Sequence, residues 1–207
     1  MSLRYDFPVE NASRVSVYSR IISLIPAGSR VLDVGCDTGN LGMAIKARGS
    51  SVDGIEMDHE AAEEAAKKLD RVTCGSIEEE GINFNGPYDY IVFADVLEHL
   101  VHPEAVLERI KPLLKKKGMV IASLPNVANF RVRLGLLAGR FEYTETGILD
   151  RTHLRFFTRK TGERLFIKSG YRLLGSKPAA THIPKIALGL WPEFLATRFV
   201  ILAEAES

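Results

Sequence analysis

The sequence predicts an α/β fold in which a seven-stranded, mainly parallel sheet is flanked by helices. Short apolar runs alternate along the chain with amphipathic stretches, which is the pattern of successive βαβ units. The run at residues 88–94 is apolar almost throughout, as in a strand buried on both faces. We therefore expect strands at residues 31–34, 51–56, 71–74, 88–94, 119–124, 171–174 and 199–203.

Helices are expected between these strands. Their predicted ranges are residues 39–48, 59–69, 103–116 and 158–169. Thr158 is the predicted N-cap of the last one. Because proline lacks an N–H group, Pro112 should interrupt the third helix, and Gly118 should end it.

The remaining segments complete a single predicted domain over residues 1–207. Residues 1–27 should supply an N-terminal helix, since Val15, Tyr18 and Ile22 recur at helical spacing. The strand–helix rhythm is broken twice, at residues 126–157 directly after strand five and at residues 178–195. We predict an insertion at each place.

Composition excludes several classes of protein. A hydrophobic fraction of 46% with 26% charged residues is ordinary for a globular protein, and a net charge of +1 does not favour DNA as a partner. Cys36 and Cys74 form neither a disulfide framework nor a metal-binding spacing. The sequence has no signal-peptide pattern and no apolar run near the ~18 residues of a spanning helix. Cytoplasmic localisation is therefore expected.

The loop after the first strand is the first candidate binding site. Asp33 ends the strand, Gly35 and Gly39 follow, and a helical pattern begins. Glycines let the backbone approach a ligand closely, and a helix N-terminus offers free N–H groups. The dinucleotide fingerprint G-x-G-x-x-G is not met, because Asp37 and Asn40 occupy two of its glycine positions. This disfavours an NAD enzyme that transfers hydride.

Glu56 ends the second predicted strand, 21 residues after Gly35. An acid at that position can accept hydrogen bonds from both ribose hydroxyls of an adenosine that lies across the strand ends. The alternative is an exposed acid at a strand terminus with no ligand. Together with the glycine loop, Glu56 favours an adenosine-containing cofactor.

Three segments resemble known methyltransferases. Val31-Leu32-Asp33-Val34-Gly35-Cys36-Asp37-Thr38-Gly39 resembles motif I of class I S-adenosylmethionine-dependent methyltransferases, and Ile55-Glu56 resembles their ribose-binding acid. Phe93-Ala94-Asp95-Val96-Leu97-Glu98-His99-Leu100 is similar to the segment after strand four in the ubiquinone-biosynthesis-like branch. The resemblance covers residues 15–175. It implies a Rossmann-like fold, S-adenosylmethionine as cofactor and S-adenosylhomocysteine as product.

The resemblance also implies which residues bind the cofactor. They belong to the loops after the first four strands and are Asp33, Gly35, Cys36, Asp37, Gly39, Asn40, Glu56, Met57, Gly75, Ser76, Ile77, Ala94 and Asp95. Two of them depart from the family pattern. Asp37 replaces a usual glycine, and its carboxylate either narrows the approach to the methionine moiety or pairs with its ammonium group. Ser76 stands where an acid often faces the adenine, and its hydroxyl can accept the same hydrogen bond.

Candidate catalytic residues follow the fourth strand. Methyl transfer requires an aligned acceptor and, for some acceptors, removal of a proton. Asp95, Glu98 and His99 share one face if this segment is helical. We expect His99 and Glu98, with His153 from a later segment, to be the catalytic residues.

The same segments resemble metal-binding small-RNA 2′-O-methyltransferases. That resemblance implies an alternative in which Asp95, Glu98, His99 and His153 bind a divalent ion, with Mn²⁺ or Zn²⁺ suited better than Mg²⁺. The default expectation is no metal. In many methyltransferases, an acid and a histidine at this place only shape the loop, and this interpretation also stays open.

The two insertions are expected on the acceptor side. Residues 126–141 place Phe130, Leu134 and Leu137 at helical spacing with arginines between them. Such a stretch suits a lid over the acceptor, a helix on an anionic lipid surface, an arm for phosphate groups, or a plain cover of the sheet. Trp191, in the second insertion, suits an apolar acceptor pocket, a dimer surface or packing.

The leading hypothesis is methyl transfer to O or N of a small molecule, with phenolic, sugar and lipid-linked acceptors open. One alternative is an RNA 2′-O-methyltransferase with a divalent metal, which the near-neutral charge disfavours. Another is a non-catalytic cofactor-binding module, which Asp37 and Ser76 support. Peripheral membrane contact and oligomeric state stay open.

Overall fold

A computed structural model describes residues 17–82, 84–180 and 185–206. Seven strands form one sheet in the order β3-β2-β1-β4-β5-β7-β6. The strands are β1 Arg30–Val34, β2 Ser51–Glu56, β3 Arg71–Cys74, β4 Tyr88–Ala94, β5 Leu114–Pro125, β6 Tyr171–Ala179 and β7 Arg198–Ala205. Strands β1 to β5 are parallel, and β7 is antiparallel to both of its neighbours, β5 and β6. The predicted seven-stranded, mainly parallel sheet is therefore confirmed.

Helices cover both faces of this sheet. They are α1 Val17–Leu24, α2 Asn40–Lys46, α3 His59–Ala66, α4 Pro103–Ile110, α5 Phe130–Leu137, α6 Arg159–Lys168, α7 Lys185–Leu190 and α8 Pro192–Leu195. Thr158 caps α6 as predicted, in a reciprocal capping box with Thr161. Asp58 caps α3 by accepting a hydrogen bond from the Ala61 amide at 2.9 Å. No helix in the described part of the chain is long and apolar enough to cross a membrane.

The core consists of two apolar layers, one on each face of the sheet. Ile91 and Phe93 of β4 pack into the layer beneath α4 and α6, whereas Val92 packs into the layer beneath α1, α2 and α3. All three side chains have no exposed surface. The continuous apolar run of β4 therefore does mark a strand buried on both faces.

The predicted helix over residues 103–116 is wrong beyond Ile110. Residues 111–113 form one 3₁₀ turn at Pro112, and Leu114 already begins β5 by pairing with Tyr88. Gly118 lies inside β5 and does not end a helix. A Cβ on Gly118 would lie 2.9 Å from the Lys115 carbonyl oxygen, which explains the glycine by packing.

The N-terminal prediction is met in part. Helix α1 buries Ile21 and places Tyr18 and Ile22 against the core, whereas Val15 and the rest of residues 1–16 lie outside the described residues. The first predicted insertion contains α5. The second contains α7 and α8, with residues 181–184 outside the description.

Candidate active site

The glycine loop lies at the carboxyl edge of the sheet, between β1 and α2. The amides of Gly35 and Cys36 both donate to the Ile55 carbonyl oxygen of β2, at 2.8 and 3.1 Å. Gly35 has a φ of 66°, and a Cβ there would lie 2.7 Å from Cγ2 of Val96. Gly39, with a φ of 79°, is the N-cap of α2. Positive φ and close packing both require glycine at these positions.

Glu56 lies directly beside this loop. Its Oε2 accepts a hydrogen bond from the Asp37 amide and its Oε1 accepts one from the Asp58 amide, both at 2.9 Å. These two backbone donors fix the carboxylate at the end of β2. The remaining lone pairs are available for ribose hydroxyls, so the geometry suits the predicted role.

Asp37 adopts a left-handed conformation, with a φ of 48°. Glycine, which the family usually has at this position, adopts such a conformation at no steric cost. Aspartate tolerates it better than most residues do, which explains how the loop keeps its shape. Neighbouring Asn40 contacts Thr38 and accepts a hydrogen bond from Nζ of Lys68 at 2.9 Å. Lys68 also donates to the Thr38 carbonyl at 2.6 Å, which anchors the loop to the turn that follows α3.

Asp33 and Cys36 are buried below the loop rather than exposed to a ligand. Neither carboxylate oxygen of Asp33 makes a hydrogen bond of normal geometry within the described chain. Burial and the nearby charge of Glu56 raise the pKa of Asp33 to about 7, against a smaller lowering by the Gly42 amide. Burial, with Asp33 nearby, also raises the pKa of the Cys36 thiol.

The loop after β3 completes the predicted cofactor edge. The amide of Gly75 donates to the Glu56 carbonyl at 2.8 Å, which holds this loop beside β2. The Ser76 hydroxyl accepts from the Glu78 amide at 3.2 Å. Ile77 is buried in the core, whereas the Met57 side chain after β2 is 74% exposed. Met57 is therefore exposed at this edge, whereas Ile77 belongs to the core below it.

Asp95, directly after Ala94 at the end of β4, is held by its neighbours. It has a φ of 57°. Its Oδ1 accepts a hydrogen bond from the Ser123 hydroxyl at 2.7 Å, and its Oδ2 accepts one from Nε of Arg198 at 2.6 Å. Sequence reasoning missed Arg198, which lies 103 positions away and carries no motif.

The segment after Asp95 is a 3₁₀ turn over Leu97–His99, so the predicted shared helical face is wrong. One ligand atom from each of Glu98, His99 and His153 nevertheless lies within 4.8 Å of the others. Asp95 does not belong to this group, because it faces Ser123 and Arg198. The structure therefore brings together three of the four residues of the predicted metal set.

Glu98 is almost completely buried, and its carboxylate has no hydrogen-bond partner within the described residues. Burial and the nearby charge of Asp95 raise its pKa well above the usual range. Its backbone carbonyl accepts the amides of Leu154 and Arg155, at 2.9 and 3.0 Å. These two bonds bring the His153 segment against the end of β4.

Both imidazoles are oriented by backbone carbonyls. Nδ1 of His99 lies 3.2 Å from the Thr152 carbonyl oxygen, and Nδ1 of His153 lies 3.1 Å from that of Ile148. When Nδ1–H donates to the carbonyl, Nε2 of a neutral imidazole is an acceptor. Burial and the neighbouring His99 lower the pKa of His153, so the neutral form is favoured. The cluster therefore combines acceptor groups with a buried acid.

An aromatic wall extends from the two histidines into the first insertion. The ring of His153 contacts those of His99 and Phe156, at centroid distances of 4.9 and 6.2 Å. Phe156 contacts Phe141 and Tyr143, at 5.7 and 6.2 Å. Phe141 and Tyr143 are 40% and 54% exposed. This wall could not be read from the sequence, since its members come from three separate segments.

A glycine loop after β1 and an acid at the end of β2, both at the carboxyl edge of a mainly parallel sheet, are the arrangement expected of S-adenosylmethionine-dependent methyltransferases. The model of a methyltransferase domain family matches residues 10–175, and the chain belongs to that family.

Curated relatives match about half of the chain. The ubiquinone biosynthesis O-methyltransferase of Dechloromonas aromatica (strain RCB) is 32% identical over 124 residues, which cover 56% of this chain and 52% of that protein. The protein of the same name from Escherichia coli O127:H6 is 32% identical over 107 residues, covering 48% and 44%. The chain thus spans about half the length of the curated relatives it matches.

Solved structures share the fold over most of the chain. An S-adenosylmethionine-dependent methyltransferase from Archaeoglobus fulgidus has a TM-score of 0.66 at 16% identity, covering 91% of this chain and 92% of that one. Magnesium protoporphyrin IX methyltransferase from Synechocystis PCC 6803, solved with bound S-adenosylhomocysteine, has a TM-score of 0.65 at 15% identity, covering 91% and 82%. At these identities the likeness shows the fold alone.

Proposed function

We propose that this chain transfers the methyl group of S-adenosylmethionine to a hydroxyl oxygen of a small aromatic molecule. One observation carries the proposal: the acceptor-rich cluster of Glu98, His99 and His153 follows β4, which pairs with β1, and Val96 of the same segment packs on Gly35 of the glycine loop. In a doubly wound sheet, ligands bind at this carboxyl edge. Cofactor and acceptor sites would then adjoin.

The cofactor is assigned to the loops after β1, β2 and β3. Glu56 would accept the ribose hydroxyls, because two amides already orient its carboxylate. The backbone of Gly35 to Gly39 would approach the methionine moiety, with Asp37 near its ammonium group. Ser76 and Met57 would border the adenine. Bound there, the cofactor supplies an electrophilic methyl group for in-line displacement.

His99 is the proposed proton acceptor. Its side chain is only partly buried, whereas Glu98 and His153 are buried behind it. With Nδ1 directed at the Thr152 carbonyl, Nε2 can take the proton of an acceptor hydroxyl as the oxygen attacks. Glu98 and His153 act as positioning residues. Phe141, Tyr143 and Phe156 would stack on a planar acceptor, which favours a phenolic one.

A divalent cation is the second candidate for the same cluster. The Glu98 carboxylate, which is buried and has no hydrogen-bond partner among the described residues, and the Nε2 atoms of His99 and His153 would be the three ligands. The backbone carbonyls that face Nδ1 of each imidazole would orient these ligands, as the outer shell of a metal site does. Mn²⁺ or Zn²⁺ matches this ligand set better than Mg²⁺. When bound, such an ion would lower the pKa of an acceptor hydroxyl.

Isothermal calorimetry with S-adenosylmethionine, S-adenosylhomocysteine and NAD tests the cofactor. We expect binding of the first two only, and NAD binding without S-adenosylmethionine binding would contradict the proposal. Turnover is then followed as S-adenosylhomocysteine release with catechols, phenols, sugars and amines. Glu56→Gln should weaken cofactor binding, while His99→Ala should reduce kcat with unchanged cofactor affinity. Cofactor binding without turnover on any acceptor would favour the non-catalytic module.

A further inference from the structure

Exposed apolar side chains concentrate on α5 and on the adjoining helices α7 and α8. They are Leu134, Leu136 and Leu137 of α5, with Ile186, Leu190, Trp191 and Phe194 of the second insertion. Leu137 and Ile186 are 84% and 81% exposed, and Trp191 is 64% exposed. Single exposed leucines are ordinary, but a group of large apolar side chains on neighbouring helices indicates an interaction surface.

The two insertions form one surface, which we call the α5–α8 surface. The rings of Phe130 and Phe194 lie 5.5 Å apart, and the Arg133 guanidinium lies 5.9 Å from the Phe194 ring centroid. Leu134 and Leu137 follow Phe130 at helical spacing, so they continue the face of α5 that meets α8. The surface is therefore contiguous across both insertions.

Buried asparagines hold this surface in place. Nδ2 of Asn126 donates to the carbonyls of Glu193 and Ala196, at 3.0 and 2.9 Å. Nδ2 of Asn129 donates to the carbonyls of Leu195 and Ala196, at 3.1 and 3.0 Å. Both side chains are at most 1% exposed. The exposed apolar groups are thus presented by a fixed framework.

Positive charge on this surface is not compensated. Residues 126–141 contain Arg131, Arg133 and Arg140 and no acid. None of these three arginines forms an ion pair within the described chain. By contrast Glu193, the acid of α8, is paired with Arg159 at 3.1 Å. Apolar side chains bordered by unpaired arginines match the apolar boundary and the anionic headgroups of a lipid bilayer.

We propose that the α5–α8 surface docks on an anionic membrane. Leu137, Leu190 and Trp191 would enter the headgroup region while the arginines contact anionic lipids. A symmetric dimer through the same surface would bring the arginines of both copies into one interface, where residues 126–141 offer no acid to pair with them, which disfavours that occupant. This inference does not depend on the proposed methyl transfer, because docking is measured without an acceptor.

Trp191 is the chain's only tryptophan and reports docking directly. The full chain is mixed with vesicles of phosphatidylcholine, with and without phosphatidylglycerol, and Trp191 emission and co-sedimentation are recorded. We expect a blue shift and sedimentation with anionic vesicles only, both weakened by salt. Arg131→Gln/Arg140→Gln should weaken vesicle binding about thirtyfold, from roughly 1 kcal/mol per basic residue. Leu137→Ser should also weaken it.

The matched control is Lys116→Gln/Lys117→Gln, which removes the same charge from exposed positions at the opposite end of β5. It should leave vesicle binding almost unchanged. An equal loss in the control pair would reduce the effect to general charge and overturn the proposal. So would unshifted Trp191 emission with anionic vesicles, or a dimer in sedimentation that Leu137→Ser dissociates. Turnover with a water-soluble acceptor should be the same in all variants, which separates this test from that of the proposed function.

Discussion

The carboxylate of Asp95 accepts a hydrogen bond from Nε of Arg198 at 2.6 Å, which joins the end of β4 to the first residue of β7. Asp95 has a left-handed backbone, and Ser123 of β5 donates to its other oxygen. Three strands therefore fix one carboxylate at the edge where cofactor and acceptor are proposed to meet.

Replacing Arg198 with Met should lower the free energy of unfolding by about 1–2 kcal/mol, because a charge-assisted hydrogen bond in a half-buried setting is lost. Urea unfolding measures the change. Arg172→Met is the matched control, since its ion pair with Glu204 involves a largely exposed guanidinium. Equal losses of unfolding free energy in the two variants would show that the contact of Arg198 with Asp95 stabilises the fold no more than an exposed ion pair does.

Asp33 should make the cofactor-free protein less stable as pH rises from about 4 to about 7. Its pKa is raised to about 7 in the folded chain, so within this window the unfolded chain releases a proton that the folded chain retains. The loss has an upper bound of about 4 kcal/mol for a shift of roughly three units. Asp33→Asn should flatten the pH dependence measured by urea unfolding.

Glu98→Gln is the companion variant for that experiment, because the pKa of Glu98 is raised too and shifts stability in the same direction. The double variant should have the flattest profile. If the free energy of unfolding depended on pH equally in the wild type and in Asp33→Asn, the raised pKa of Asp33 would be contradicted.

Asp37→Asn should weaken S-adenosylmethionine binding about tenfold, if one charge-assisted contact with the ammonium group is lost. The loop should persist, since the Asp37 amide still donates to Glu56 and asparagine tolerates a positive φ. Calorimetry with methylthioadenosine, which lacks the amino-acid moiety, is the control and should show no change. Tighter binding of S-adenosylmethionine would instead indicate that the carboxylate obstructs the site.

His99→Ala and His153→Ala should each weaken Mn²⁺ or Zn²⁺ binding at least tenfold if the cluster holds a metal. Metal content after equilibration and dialysis measures this, with exposed His59→Ala as the control. A wild-type protein that stays metal-free and turns over normally would remove the metal proposal. His99 would then remain as the proposed base, tested by the pH profile of kcat.

Asn126→Ala should lower the free energy of unfolding by about 1–3 kcal/mol, because the part-buried Glu193 carbonyl and the buried Ala196 carbonyl each lose a hydrogen bond from Nδ2. The cofactor lies elsewhere in our proposal, so its Kd should hold while KM for the acceptor rises. Thermal unfolding and initial rates test both parts. A changed cofactor Kd with constant KM would contradict the assignment of the insertion that begins at Asn126 to the acceptor.

Local patterns predicted most of the sheet. Strands β2, β3 and β4 have the predicted bounds, residues 51–56, 71–74 and 88–94. The helix predicted over residues 103–116 failed because its last turn is decided by pairing between Leu114 and Tyr88, which helical propensity does not contain. Pro112 correctly indicated that the helix is interrupted, but an interrupted helix does not indicate that a strand follows.

The sequence likewise predicted part of the candidate site and missed the rest. Glu56 could be placed beside the glycine loop, because parallel strands bring their carboxyl ends to one edge. His153 was found through the resemblance, whereas Asp95 was wrongly grouped with it by assuming a regular helix. The Asp95–Arg198 contact and the aromatic wall join segments that are far apart in the sequence, and the spacing of residues within one segment cannot predict such contacts.

Strand β7 lies between β5 and β6, although it follows both in sequence. Since β6 pairs with β7 and not with β5, neither strand can join the sheet before β7 leaves the ribosome, and Arg198 can reach Asp95 only then. Long-range pairing of this kind slows folding. A nascent chain should consequently form the β1–β5 part of the sheet first, and fix the Asp95 carboxylate only when β7 adds to β5 and β6 adds to β7.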